Sequence, residues 1–173
     1  GGSYSEAVVG DVKVMNPPLP DNGASSDVTR LVFSGLTRFT QSGELVGDMA
    51  KNWKVSADGK VYTFNLKPNI SWHDGERLTA KDVLFTVRML QNPDTRSPLA
   101  ANWQGVKASS PNDQTVVFTL SKPYSPFLFS TTTGIIPEHI LREVQPSQMR
   151  LSTFNQSPVG TGPYRFERLS NVG

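Results

Sequence analysis

Cysteine is absent from this 173-residue chain, which excludes disulfides, zinc–thiolate centres and cysteine nucleophiles and leaves the redox compartment open. Histidine occurs only twice, and metal sites need three or four converging ligands. Charge is sparse as well: 18% of residues are charged, below the roughly 25% of ordinary globular proteins. The 17 Lys and Arg nearly balance 15 Asp and Glu, for a net charge of +2. They are scattered, so the basic stripe that neutralises several phosphates is missing and nucleic acid is not expected as a partner. No apolar run approaches the ~18 residues of a membrane-spanning helix. No repeat of ~20–50 residues appears, which argues against solenoids and propellers. A signal peptide is also lacking, and Gly1-Gly2-Ser3 reads as a tag remnant.

What is present reads as an α/β (α+β) unit. A short strand is expected around Ala7-Val8-Val9. Asn16-Pro17-Pro18-Leu19-Pro20 then forbids helix and central strand, because proline fixes φ and lacks an amide donor. Asp27 is an N-cap candidate for a helix from near Val28, with Leu31, Val32 and Phe33 on its apolar side and Gly35 as its end. Trp53-Lys54-Val55-Ser56 and Val61–Leu66 flank Ala57-Asp58-Gly59-Lys60, a hairpin signal in which glycine supplies the positive φ. Tyr62, Phe64 and Leu66 share one face of the second strand.

Thr79-Ala80-Lys81-Asp82 predicts a capping box. Ala80, Val83, Leu84, Val87 and Leu90 follow at helical spacing, so this helix lays one stripe on the sheet until Asn92-Pro93 stops it. Pro111-Asn112-Asp113 introduces a strand over Val116–Leu120. Pro137 is expected to open a short helix through Leu141. Tyr164–Leu169 alternates like a strand. The two terminal strands have no sequence-local partner, and a two-stranded ribbon is marginal unless packed on something larger. They read either as edge strands or as stubs of a second sheet.

Motifs for chemistry are few. Trp72-His73-Asp74-Gly75-Glu76 could be an acid–base or metal site with His73, Asp74 and Glu76, but Asp-Gly is ordinary turn chemistry. His139, the other histidine, is expected on an unrelated helix. Val159-Gly160-Thr161-Gly162-Pro163 starts like a dinucleotide fingerprint, then fails, since Pro163 removes an amide and no helix follows. It reads as a backbone corner. Ser34 lacks the second glycine of a nucleophile elbow. Asn69-Ile70-Ser71 and Asn155-Gln156-Ser157 match the glycosylation triplet, as many do by chance. Tyr124, Phe127 and Phe129 read as a core-packing loop rather than a recognition surface. These residues alone point to a binding or structural module without an enzyme signature.

Read in order, the segments resemble the extracellular solute-binding proteins of the peptide/nickel type, receptors of ATP-driven (ABC) importers. The likeness runs through Val9-Gly10, Asn16-Pro17, Leu31–Phe39, Gly47–Trp53, Asp58–Leu66, Trp72–Val83, Thr115–Phe118, Pro123-Tyr124, Pro126-Phe127, Ile136–Leu141 and Pro158–Tyr164. Each piece is weak; the ordered set is specific.

The resemblance implies a fragment of a periplasmic-binding-protein-like class II fold, in which two lobes close on a ligand about a hinge. Residues 4–35 would start lobe one, 36–157 would be its inserted subdomain with a partly antiparallel sheet packed by helices, and 158–173 a return strand. The second lobe would be absent. It further implies a monomeric receptor for an oligopeptide or dipeptide, with permease subunits as partners, and neither cofactor nor metal. Its place would be the outer face of a bacterial membrane as a lipoprotein, or the periplasm. The Trp72–Glu76 cluster becomes a structural turn. Ligand contacts would fall at Asn16, at Phe33, Ser34 and Gly35, and at Thr132, Thr133 and Gly134. Alternatives are a signalling or adhesion lipoprotein, a receptor for nickel chelates, haem or oligosaccharides, or a hydrolase using His73.

Overall fold

A computed structural model describes residues 12–21 and 23–168. Its elements run α1 (Gly23–Val32), β1 (Thr37–Phe39), β2 (Leu45–Gly47), β3 (Ala50–Val55), β4 (Val61–Leu66), α2 (Ala80–Gln91), α3 (Ala100–Trp103), β5 (Lys107–Asn112), β6 (Thr115–Thr119), α4 (Phe127–Ser130) and α5 (Glu138–Leu141), with 3-10 turns at Pro93–Thr95, Pro146–Leu151 and Thr153–Gln156. β1 and β2 pair as a small ribbon, and the other four strands form an antiparallel sheet in the order β3-β4-β6-β5.

The expected hairpin is β3 and β4, with Trp53 opposite Phe64 and Val55 opposite Tyr62. Gly59 takes φ +68° in its turn. Alternation along β4 buries Tyr62, Phe64 and Leu66 on one face, where Ala80, Val83, Val87 and Leu90 of α2 meet them. A helix stripe and a strand face of matching period thus make one core. Aromatic rings fill its centre: Phe118 sits edge-on to Phe64, Trp103 and Phe127, at 5.7, 5.6 and 5.4 Å between centroids. A second cluster gathers Leu19, Val32, Phe33, Phe85, Ile136, Leu141, Met149 and Phe154 around α1 and α5.

The capping box forms as read. Thr79 accepts from the Lys81 amide at 3.3 Å, and Asp82 accepts from the Thr79 amide at 2.9 Å. α5 begins at Glu138, one residue later than expected, with Pro137 just ahead of it and making no side-chain capping bond.

Three readings change. α1 starts at Gly23, so Asp27 lies exposed within the helix and caps nothing there. Tertiary contacts support that first turn: Ser25 is buried, accepts from the Lys13 amide at 3.1 Å, and its carbonyl takes the Thr29 hydroxyl at 2.6 Å. The helix also stops at Val32, before Gly35, because its last carbonyls are taken by a crossing segment: Gly162 N donates to Val32 O at 2.8 Å and Tyr164 N to Leu31 O at 3.1 Å. For the same reason residues 164–168 are not a strand; the Tyr164 amide is committed to a helix end. The strand expected at Ala7–Val9 and the end of the Tyr164–Leu169 alternation lie outside the described residues.

β5 is a strand the sequence hides. Its Lys-Ala-Ser-Ser-Pro-Asn composition reads as loop, yet it pairs with β6 as an edge. The register shifts between Ser109 and Asn112, at Pro111, where an edge strand tolerates a missing amide.

Candidate functional site

The segment after α1 runs alongside the segment after α4. Leu36 N and Thr37 N donate to Thr131 O at 3.0 and 3.2 Å, Ile135 N donates to Ser34 O at 3.0 Å, and the Thr37 and Thr131 hydroxyls lie 2.7 Å apart. This approach requires glycine. A Cβ on Gly35 would lie 2.6 Å from Thr132 O, and one on Gly134 would lie 2.8 Å from Phe33 Cβ. Real Cβ atoms do not come that close, so side chains here would prise the two segments apart.

A third segment, Gly160–Pro163, crosses the end of α1 with similar economy of space. Between these strips of chain opens a cleft of about 940 Å³. Arg30 of α1, then Phe33, Ser34 and Gly35, line one side; Thr37, Arg38 and Phe39 of β1 with Asp48 line another; Thr132, Thr161, Gly162 and Pro163 complete it. Phe39 rests on Phe129 at 5.7 Å between ring centroids, and the two rings are about half exposed, at 48% and 57%. The wall thus offers two guanidinium groups, one carboxylate, several hydroxyls, glycine backbone and an aromatic lip.

Four of the seven expected contact residues, Phe33, Ser34, Gly35 and Thr132, meet at this cleft although the chain separates them by about a hundred residues. The other three lie elsewhere. Thr133 lines a small void of about 10 Å³ against α2. Gly134 packs against Phe33 and Pro17. Asn16 is fully buried, with its amide donating to Asn155 Oδ1 at 2.9 Å and its own Oδ1 without a partner among the described residues.

Sequence reasoning passed over Arg30, Arg38, Phe39, Asp48 and the Thr161–Pro163 strip. Only the last carried a signal: a Gly-x-Gly corner marks a backbone that something approaches closely. Arg30 lies in the last turn of α1, Arg38 in the middle of β1 and Asp48 between β2 and β3, and in the sequence each looks like an ordinary solvated position.

The Trp72–Glu76 cluster is a turn. Gly75 N donates to Trp72 O and Trp72 N to Glu76 O, and Gly75 has φ +97°. His139, expected on an unrelated helix, comes to this turn: α5 sets its Nε2 2.7 Å from Asp74 Oδ2. Burial opposes ionisation of Asp74, but hydrogen bonds from His139 and the Glu76 amide outweigh it and hold the carboxyl below its ordinary range. His73 turns away, toward the backbone of Gly160 and Gly162. The turn's polar groups therefore bind one another and nearby backbone. Among the described residues no cluster of three or more His, Asp or Glu could hold a metal ion, and no helix is long and apolar enough to cross a membrane.

Known proteins share this fold. The structure of AppA, an oligopeptide-binding protein of Bacillus subtilis, in complex with a nonapeptide superimposes with a TM-score of 0.87 over 95% of this chain and 34% of its own, at 26% identity. NikZ of Campylobacter jejuni, solved with Ni(L-His), gives 0.84 over 93% of this chain and 32% of its own, at 36% identity. A putative ABC transporter peptide-binding protein of Brucella ovis is 38% identical over 128 residues, covering 72% of this chain and 24% of that protein. The chain thus spans between a quarter and a third of the length of these relatives, and its fold is a portion of the periplasmic-binding-protein class II fold. The profile of the bacterial extracellular solute-binding proteins, family 5 (middle), matches residues 44–172. The chain belongs to that family of binding proteins.

Proposed function

We propose that this chain supplies one wall of a ligand cleft in the receptor of an ABC importer, and that the guest is a short peptide. The observation that carries the reading is the cleft itself, with Arg30, Arg38 and Asp48 on its wall. Charge of both signs beside glycine backbone suits a zwitterion whose main chain offers donors and acceptors along its length. The peptide-binding relatives support the choice of guest.

A second lobe closing by hinge motion would bury the ligand and exclude bulk water. On this reading residues 4–35 open the first lobe, 36–157 form its inserted subdomain and 158–173 lead back to it. The protein binds and delivers rather than catalyses, and works outside the cytoplasmic membrane with a permease as its partner.

Small-molecule sites bury ~70–90% of their guest, which one wall cannot do. Calorimetry with a di- to pentapeptide mixture should therefore give binding by the full-length receptor and no heat with this chain alone. A full-length receptor that takes none of these peptides would overturn the choice of guest. Sub-micromolar binding by the chain alone would overturn the need for a second wall.

A further inference from the structure

His73 makes three hydrogen bonds to one short strip of backbone. Its amide donates to Gly160 O at 2.9 Å, its Nε2 lies 2.9 Å from Gly162 O, and Gly160 N approaches its Nδ1 at 3.4 Å. The chemistry of the partners fixes the ring. A carbonyl oxygen only accepts, so Nε2 must carry hydrogen; a peptide N–H only donates, so Nδ1 must offer a lone pair. Only the neutral Nε2–H tautomer satisfies both contacts.

The strip is gripped from its other side by α1. Gly162 N donates to Val32 O, and a Cβ on Gly160 or Gly162 would fall 1.9 Å from Val32 O or 2.6 Å from Leu31 O. The backbone therefore lies in a slot between a helix end and an imidazole, with no room to shift sideways. Thr161, Gly162 and Pro163, the residues of this strip that line the cleft, inherit their position from that slot.

We infer that His73 is a positioning residue of the ligand cleft: by reading Gly160 N–H and Gly162 C=O together, it sets the register of the Thr161–Pro163 wall. This rests on the cleft being the ligand site. It assigns a task to the histidine of the Trp72–Glu76 turn, which does not itself line the cleft. The end of α1 holds this segment by two amides, Gly162 N on Val32 O and Tyr164 N on Leu31 O, and the imidazole adds the two contacts the helix does not make, to Gly160 N–H and Gly162 C=O.

Two measurements test it. Nitrogen-15 NMR of the histidine rings in this chain at neutral pH should show Nδ1 of His73 bare and Nε2 protonated. A bare Nε2, or a doubly protonated ring, overturns the inference whatever the receptor binds. In the full-length receptor, His73→Phe keeps a ring but offers neither contact, and peptide affinity should fall roughly tenfold, because a wall that these bonds no longer order has to be ordered when the peptide binds. His73→Gln, which retains one donor and one acceptor, should recover most of that loss at equal thermal stability. Unchanged affinity in His73→Phe overturns the positioning role. Should the wild-type receptor bind no peptide, the choice of guest falls, and the ring's tautomer still decides for or against the slot. If His73→Phe does not fold, the NMR result and His73→Gln carry the decision.

Discussion

One carboxylate begins two helices: Asp82 accepts the Thr79 amide on one oxygen and the Glu138 amide on the other, each at 2.9 Å. It closes the first turn of α2 and starts α5 fifty-six residues later. α2 repeats the pattern one turn on, where the Thr86 hydroxyl donates to Asp82 O and accepts from Ile136 N at 3.0 Å. The 135–138 segment, which leads away from the cleft, is thereby tied to the sheet's helix by two polar contacts, buried at Thr86 and partly buried at Glu138.

Asp82 is almost wholly buried, and burial raises its carboxyl above the ordinary range, against the pull of the Thr79 and Glu138 amides. A raised folded-state value means the native protein holds the proton longer than the unfolded chain does. Its stabilising effect is complete below the unfolded value of about 3.9 and declines as pH rises through the folded value. Urea unfolding of wild type from pH 3 upward should show such a decline. Asp82→Asn should flatten it, since the amide does not titrate. At pH 7, Asp82→Ala should cost about 2 kcal/mol, through a lost cap and a buried amide left bare. A wild-type decline that persists in Asp82→Asn would show that another group causes it.

Glycine at 160 answers to space alone, because an added Cβ would sit 1.9 Å from Val32 O, a backbone atom that cannot swing away. Gly160→Ala should destabilise by 3 kcal/mol or about that, at the upper end for overpacking, and should disorder the Thr161–Pro163 wall. Gly23→Ala is the matched control. It lies in α1 with open space around its Cβ, and should be neutral or stabilising by a few tenths of a kcal/mol. Equal midpoints for the two variants in chemical denaturation would refute the close approach.

Much of this architecture is legible because local signals and tertiary packing agree. The Asp58-Gly59 turn, the alternation of Tyr62, Phe64 and Leu66, and the Thr79–Asp82 box each specify one local geometry, and the core accepts all three. The aromatic loop shows where local reading stops. Phe127 enters the core beside Phe118 and Trp103, as a packing residue should, yet Tyr124 and Phe129 from the same run remain more than half exposed. Chain order cannot sort three aromatics by which one the sheet reaches. The start of α1 was hidden because Ser25 is held by residue 13 rather than by a sequence-local cap. The cleft was half legible. Phe33–Gly35 and Thr132 stood out through resemblance, whereas Arg30, Arg38 and Asp48 acquire meaning only once β1 and α1 face the same opening.

Arg38 offers the most direct test of the cleft's chemistry. Its side chain lines the opening from an exposed position on β1, and among the described residues it has no ion-pair partner. Replacing it by glutamine should leave stability within ~0.5 kcal/mol of wild type, as exposed substitutions ordinarily do. An exposed charge contact is worth ~0.2–1 kcal/mol and rises when a guest is desolvated beside it. In the full-length receptor, Arg38→Gln should therefore weaken peptide binding by about threefold to tenfold at low salt. The gap between wild type and variant should narrow as ionic strength rises, because screening removes what the substitution has already removed. Blocking the peptide's carboxylate as an amide should reproduce the loss in wild type and add little in Arg38→Gln, which would pair this guanidinium with that end of the guest. Additive losses from the two changes would instead place the carboxylate elsewhere on the wall, with Arg30 the next to substitute.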